Sequence, residues 1–348
     1  MVTVAPGDTF AKTGDGQYVL SPERGREGYD ALVRDLIATG KVPQRIVHLW
    51  LLTADESYRP GSSFFHRNLE RGFYSLFFLA QSLGDENAAR PLHVTVVANG
   101  MQRVGDEKLP YPEKATVLGP AQVVPKELPG LTCRVVDVLL PESRPQLFGG
   151  RVRMALADPF AGKRAVDEAL VRLCDSLIEE AVAEPGNDVV AYRNGRRWVR
   201  AYRPMPLPSA DAGAAQLREE GVYLITGGFG DLALVLAEDL ARRSRARLVL
   251  VSRIELPPRA RFSERARQGG ESDRVARAIR AIERLEALGA QVLPVHADVS
   301  NLEQMRAAVA SARERFGTIH GVLHAAGVVK DELVQLKSLP DIEEVFTP

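Results

Sequence analysis

Gly228, Gly230 and Ala233 lie in the stretch GVYLITGGFGDLA, Gly221 to Ala233, at the spacing of a G-x-G-x-x-G/A fingerprint. The apolar run Val222 to Ile225 reads as a buried strand ending at Thr226. Gly227, Gly228, Phe229 and Gly230 then form a turn into a helix-like stretch, Leu232 to Arg243. Such a unit binds a dinucleotide pyrophosphate at the helix N-terminus, where unpaired N–H groups and the helix dipole both favour negative charge. A small third residue lets the helix pack closely on the strand. Alone, the pattern suits a glycine-rich turn in another α/β protein nearly as well.

Three further groups follow later strand-like runs. Ser252-Arg253 ends RLVLVSR, where an acidic residue would grip a ribose 2′-OH; a guanidinium there suits a 2′-phosphate and points to NADPH over NADH. The competing reading is a solvated arginine after a strand. Asp298-Val299 could meet the adenine amino group through the carboxylate, and Asp298 could equally cap the helix that follows. Ala325-Ala326-Gly327 supplies three small residues where backbone must approach a cofactor ribose or ring. Four such features at strand C-termini of one half-domain are what an open α/β sheet uses to hold a ligand.

The elements that must carry these residues alternate. In the first part, helical spacing covers Gly28 to Thr39, and Asn68 to Leu83 with Asn68 as its cap. Strand-like runs cover Gln17 to Leu20, Arg45 to Leu52, Leu92 to Ala98 and Leu131 to Leu139. A short helix from Glu113 is expected to stop before Gly119-Pro120. Another helix covers Val166 to Val182, and Val189 to Tyr202 alternates around Asn194-Gly195 as a hairpin. Arg203 to Ala215 has linker composition. After the glycine turn the pattern restarts: strand Arg247 to Ser252, a polar segment Ile254 to Ser272, helix Asp273 to Leu288, strand Gln291 to His296, helix Leu302 to Phe316 and strand Gly321 to His324. Alternation of this kind predicts parallel sheets flanked by helices.

A chain of 348 residues is long enough for two domains, and 45% hydrophobic with 26% charged residues is ordinary for a globular protein. Lys+Arg 45 balances Asp+Glu 45, so no net field recruits nucleic acid or an anionic membrane, and neither is expected as a partner. The start MVTVAPGDTF lacks the features of a signal peptide, and no run is long and apolar enough for a membrane span; the expected location is the cytoplasm. Cys133 and Cys174, distant and in apolar surroundings, read as buried thiols. The six histidines show no metal-ligand spacing, so no metal is expected.

TGGFG, VLVSR, ADV and HAAGVV, in this order, resemble the short-chain dehydrogenase/reductase superfamily, and specifically the ketoreductase domain of modular type I polyketide synthases. IVHLWLL, ERGFYSLFFLAQSL, LHVTVVANGMQRVGDE, EKATVLGPAQVVPKELPGLTCRVVDV and VAYRNGRRWVRAYRP resemble that family's structural subdomain. The resemblance implies an α/β chain of two Rossmann-like subdomains. Residues 1–218 would be a degenerate structural one without a cofactor site, and 219–348 the N-terminal part of an NADPH-binding, doubly wound parallel sheet. It implies hydride transfer from NADPH to a β-ketoacyl thioester on an acyl carrier protein, beside other polyketide synthase domains. The cofactor contacts it implies are Thr226, Gly227, Gly228, Phe229, Gly230, Ser252, Arg253, Asp298, Val299, Ala325, Ala326 and Gly327.

In that family a Tyr hydroxyl donates the proton, a Lys lowers its pKa and a Ser hydrogen-bonds the carbonyl. The Lys follows a helix of the kind opened by Leu339-Pro340-Asp341-Ile342, so all three are expected beyond Pro348 and none is assigned in this chain. A non-catalytic ketoreductase remnant serving as a scaffold is the alternative. Two departures from the family pattern stand out. Asp231 replaces a neutral residue and would repel a pyrophosphate, although a helix N-terminus favours it. Val329-Lys330-Asp331 stands at a stereochemical marker, Leu-Asp-Asp, of which only the last residue is kept; a solvated charge pair is an equal reading.

Overall fold

A computed structural model describes residues 1–53, 63–86, 88, 91–141, 161–206 and 217–347, with side chains throughout except at 63 and 161–167. The greater part of the expected linker, 207–215, and Pro348 lie outside the described residues. The chain falls into two compact units: Met1–Arg203 with Glu332–Leu336, and Pro204–Asp331 with the residues from Lys337 on.

In the first unit a small sheet precedes the main one. Strands β1 (Thr3–Pro6) and β2 (Ala11–Gly14), absent from the sequence reading because they are short and mostly exposed, flank β3 (Gln17–Leu20). The main sheet runs β4 (Arg45–Leu51), β5 (Leu92–Asn99), β6 (Leu131–Val138), β7 (Val189–Arg193) and β8 (Arg196–Val199), in that order. The first four are parallel, and β8 closes antiparallel to β7. The β7–β8 turn has Asn194 at φ 52° and Gly195 at φ 72°, the left-handed pair that a two-residue hairpin needs. β5 is buried along its whole length, as a central strand covered on both faces must be.

Helices α1 (Glu27–Ala38), α2 (Ser63–Leu69), α3 (Ser75–Asp85), α4 (Leu118–Glu127) and α5 (Ala161–Val182) accompany this sheet. Two expectations are corrected. Asn68 is not a cap: helical structure starts at Ser63 and passes through a wider turn, Glu70–Tyr74, into α3. The Asn68 side chain is buried and donates to Glu113 Oε1 at 2.9 Å. Nor does Gly119-Pro120 stop a helix; α4 runs on to Glu127, because Pro120 sits in its first turn, where a missing N–H costs no helical bond.

The second unit is a four-stranded parallel sheet, β9 (Val222–Thr226), β10 (Arg247–Ser252), β11 (Gln291–His296) and β12 (Gly321–His324), in the order β11-β10-β9-β12. Alternate residues of β9 and β10 face opposite sides. Tyr223, Ile225, Leu248 and Leu250 pack with Ala233, Ala237 and Ala241 of α6 (Asp231–Ser244) and with Ile279, Ile282 and Leu285 of α8 (Arg274–Ala287). Val222, Leu224, Val249 and Val251 pack with Ala308 and Ala312 of α9 (Leu302–Phe316) on the other face. The segment read as polar and irregular contains a short helix, α7 (Phe262–Gln268), which buries Phe262 and Ala266. The last helix is α10 (Leu339–Phe346), whose N-cap Ser338 accepts the Asp341 N–H. Among the described residues no helix is long and apolar enough to cross a membrane, and no group of His, Cys, Asp or Glu could hold a metal. Both cysteines are free; Cys133 is buried, but Cys174 is exposed, against expectation, because α5 turns it outward.

Candidate functional site

Parallel strands place all four predicted features on one edge of the second unit's sheet. β9 and β12 are neighbours, so the strand order reverses between them, and at such a switch point an open sheet leaves a crevice beyond its C-terminal ends.

The turn after β9 is built backbone on backbone. Gly227 has φ +64°, and a Cβ there would stand 2.7 Å from the Ala325 carbonyl oxygen and 2.8 Å from Ala326 Cα and N. A Cβ on Gly228 would stand 2.7 Å from Leu250 Cβ and 2.9 Å from its Cα, while the Gly228 N–H donates to Val251 O at 3.0 Å. Only glycine tolerates either approach. Gly230, hydrogen-bonded to Gly227 O at 2.8 Å, is the N-cap of α6 and supplies no side-chain cap. The first helical bond is Leu234 N–H to Gly230 O, so the N–H groups of Asp231, Leu232 and Ala233 have no helical acceptor and point outward from the helix start. Ala233 is buried against the sheet, and Phe229 is half-buried on the same core.

Thr226, read as a cofactor contact, is buried. Its Oγ1 lies 2.8 Å from His324 Nδ1 and accepts the Ala326 N–H at 3.3 Å, and its carbonyl accepts the Ala325 N–H at 3.2 Å. It thus joins the glycine turn to the Ala325-Ala326-Gly327 turn after β12. Gly327 is exposed, and a Cβ on it would meet nothing within 4 Å.

Beyond β10, Ser252 accepts the Ile254 N–H through Oγ at 2.9 Å and so shapes the turn that presents the exposed Arg253. Beyond β11, Asp298 Oδ1 accepts the Ser300 N–H at 2.9 Å and the Ser300 hydroxyl at 2.7 Å. The Ser300 bonds, and less strongly the charge of Arg253, hold the Asp298 carboxyl below its usual range. Asp298 does not cap α9. Asn301 does, accepting the Glu303 and Gln304 N–H groups at 3.1 Å each. Val299 is half-buried beside it.

Three side chains escaped the sequence reading. Arg277 on α8 reaches Asp231 at the head of α6, Nη2 to Oδ1 3.1 Å, and balances that carboxylate; the Asp231 side chain is 91% exposed. His324 holds Thr226, and no local pattern marks it. In the first unit, wholly buried Lys114 sits where β4 and β5 end, donating to Leu51 O, Thr53 Oγ1 and Asn99 O and Oδ1 at 2.7 to 3.2 Å. Lys330 of the Val329-Lys330-Asp331 loop is turned to α10, with Nζ 3.0 Å from Glu344 and 3.6 Å from Asp341.

Residues 221–348 match the family described as KR domain, and residues 1–147 the family described as beta-ketoacyl synthase-like, N-terminal. The chain is 34% identical over 206 residues to a phenolphthiocerol/phthiocerol polyketide synthase subunit from Mycobacterium tuberculosis, covering 59% of this chain and 10% of that protein. It is 34% identical over 166 residues to 6-methylsalicylic acid synthase of Aspergillus terreus, covering 46% and 9%. The chain therefore spans about a tenth of these relatives at most. Its fold is similar to an N-terminal ketoreductase from the macrolactin assembly line, with TM-score 0.68 at 22% identity, covering 100% of this chain and 59% of that one. An A-type ketoreductase from a modular polyketide synthase gives TM-score 0.60 at 21% identity, covering 96% and 60%.

Proposed function

We propose that this chain is a ketoreductase-like domain of a polyketide synthase, and that its second unit holds NADPH for the reduction of a β-ketoacyl thioester carried on an acyl carrier protein. The observation that carries the reading is the glycine cradle. Gly227 and Gly228 are pressed so closely on Ala325, Ala326 and Leu250 that no side chain fills the space before an uncapped helix N-terminus. A pyrophosphate fits that place on charge and on donors.

In this reading Gly228 to Gly230 and the first turn of α6 receive the pyrophosphate, and Arg253, exposed after β10, takes the 2′-phosphate. Asp298, kept ionised by Ser300, accepts from the adenine amino group, with Val299 beside the ring. Ala325, Ala326 and Gly327 line the ribose and nicotinamide side. Thr226 acts from beneath, holding the two turns together rather than touching the cofactor. Ser252 likewise orients Arg253 through its turn. When bound, NADPH would supply the hydride. Proton donation to the substrate carbonyl is assigned to no residue of this chain.

Titration of the protein with NADPH and NADH, followed by calorimetry, tests this. Saturable binding that prefers NADPH supports it. Absence of binding at millimolar cofactor favours the alternative, a scaffold without a redox role.

A further inference from the structure

Helix α5 of the first unit is apolar on two faces. Leu173 and Leu177 pack on Val97, Val136, Val138 and Val190 of the main sheet. Leu170, Val171, Ile178 and Val182 are instead 45 to 63% exposed, and Cys174 is exposed with them. Val171, Cys174, Ile178 and Val182, spaced by three, four and four residues, form one stripe along the helix. The strand beside it is bare on the same side. β4 is an edge strand whose His48 turns to Ser75 of α3, so Val47 and Leu49 on either side of it face the other way; they are 46 and 47% exposed. Arg45, at the same alternation, marks that side as the side of α5, because its Nη1 donates to the carbonyls of Ala181 and Ala183 at 2.7 and 3.0 Å.

A surface helix normally turns a polar face to water, and exposed apolar area gathered on one side marks a surface that another molecule covers. The charges of α5 identify that molecule. Residues 161–172 include Lys163, Arg164 and Arg172 against Asp167 and Glu168, whereas residues 173–184 include Asp175, Glu179, Glu180 and Glu184 and no Lys or Arg. Glu180 is turned inward to Arg134 and Arg197, which leaves Asp175 and Glu179 exposed beside the stripe. A parallel copy of this helix would lay acid on acid. An antiparallel copy centred on residue 176, the midpoint of the exposed apolar residues, lays Leu170 against Val182 and Cys174 against Ile178, and brings Arg172 toward Glu179. The surface is complementary to itself, as an isologous interface must be.

We propose that α5 is a docking surface for a second copy of this chain: two copies associate across a two-fold axis, α5 against α5 in antiparallel, with Val47 and Leu49 of each lying beside the other's helix. The association needs no cofactor, so its failure is distinct from a failure of the NADPH reading.

Sedimentation of the 348-residue protein, followed from about 1 to 100 μM, tests this. The expected result is a reversible monomer–dimer equilibrium within that range, as for an interface of modest size. Ile178→Glu, which places a charge in the middle of the stripe at an exposed position, should weaken the dimer at least about thirtyfold. Arg172→Glu should weaken it about threefold or more, and the double variant Arg172→Glu with Glu179→Arg should recover the parent's affinity. Ile178→Cys should give a covalent dimer on mild oxidation, through Cys174 of the other copy. The proposal is overturned if the parent is monomeric up to 100 μM, if Ile178→Glu leaves a dimer intact, which would place the contact elsewhere, or if the charge exchange recovers nothing, which would exclude the antiparallel arrangement.

Discussion

Thr226 Oγ1 and His324 Nδ1 stand 2.8 Å apart at the ends of two adjacent parallel strands, β9 and β12. The same hydroxyl accepts the Ala326 N–H at 3.3 Å, so one oxygen is bonded both to the end of β12 and to the turn that follows it. This bond ties the glycine turn to the Ala-Ala-Gly turn, and the close approach of Gly227 to Ala325 and Ala326 follows from it.

Removing the hydroxyl should loosen both turns. Thr226→Val is expected to cost about 1–2 kcal/mol, because the buried position loses its bonds to His324 and Ala326. Thr226→Ser should recover most of this. Urea unfolding of the three proteins checks it; equal midpoints for parent and Thr226→Val would contradict the assignment.

The glycines of the site should separate into two kinds. Gly228→Ala drives a Cβ into Leu250 and should cost about 1–3 kcal/mol. Gly227→Ala adds a left-handed penalty of about 1–2 kcal/mol to its clash with backbone. Gly327→Ala, with open space around it, should leave the melting temperature unchanged. Thermal unfolding of the three variants decides this, and a uniform response would show that the cradle is not as close as described.

Acid should weaken the first unit through His48. Its ring is buried against Ser75, Nε2 to Oγ 2.8 Å, and burial pushes its pKa down to about 4 from 6.5. The unfolded chain therefore takes up a proton below pH 6.5 that the folded chain refuses, so stability present above that pH is lost as pH falls toward 4. Between pH 7 and pH 5 the loss should be about 2 kcal/mol. Comparing urea midpoints at the two pH values in the parent and in His48→Asn isolates the effect; an unchanged slope in the variant would assign it elsewhere.

Asp231 should oppose the cofactor, with Arg277 limiting the damage. The pair is exposed, so its influence is small and screened by salt. Asp231→Gly should tighten NADPH binding by about two- to fivefold, and Arg277→Ala should weaken it by a similar factor. Calorimetry at low salt measures both; equal affinities for the parent and Asp231→Gly would remove Asp231 from the account.

The second unit was legible because strands β9 to β12 are short, largely apolar runs separated by helical spacing, and because parallel strands then bring their C-terminal ends to one edge. Contacts made across sequence were not legible. Nothing near His324 announces Thr226, which lies 98 residues away. Local rules failed where position overrode composition: Pro120 falls in a helical first turn rather than after a helix, and Asn68 is spent on Glu113 rather than on a cap.

The most direct measurement of the central claim is the affinity of NADPH against NADH for the parent protein and for Arg253→Ala. The parent is expected to bind NADPH at least about tenfold more tightly than NADH, and Arg253→Ala to remove most of that preference while leaving NADH affinity unchanged, through loss of a charge-assisted contact to the 2′-phosphate. Equal affinities for the two cofactors in the parent protein, or a preference that survives Arg253→Ala, would contradict it.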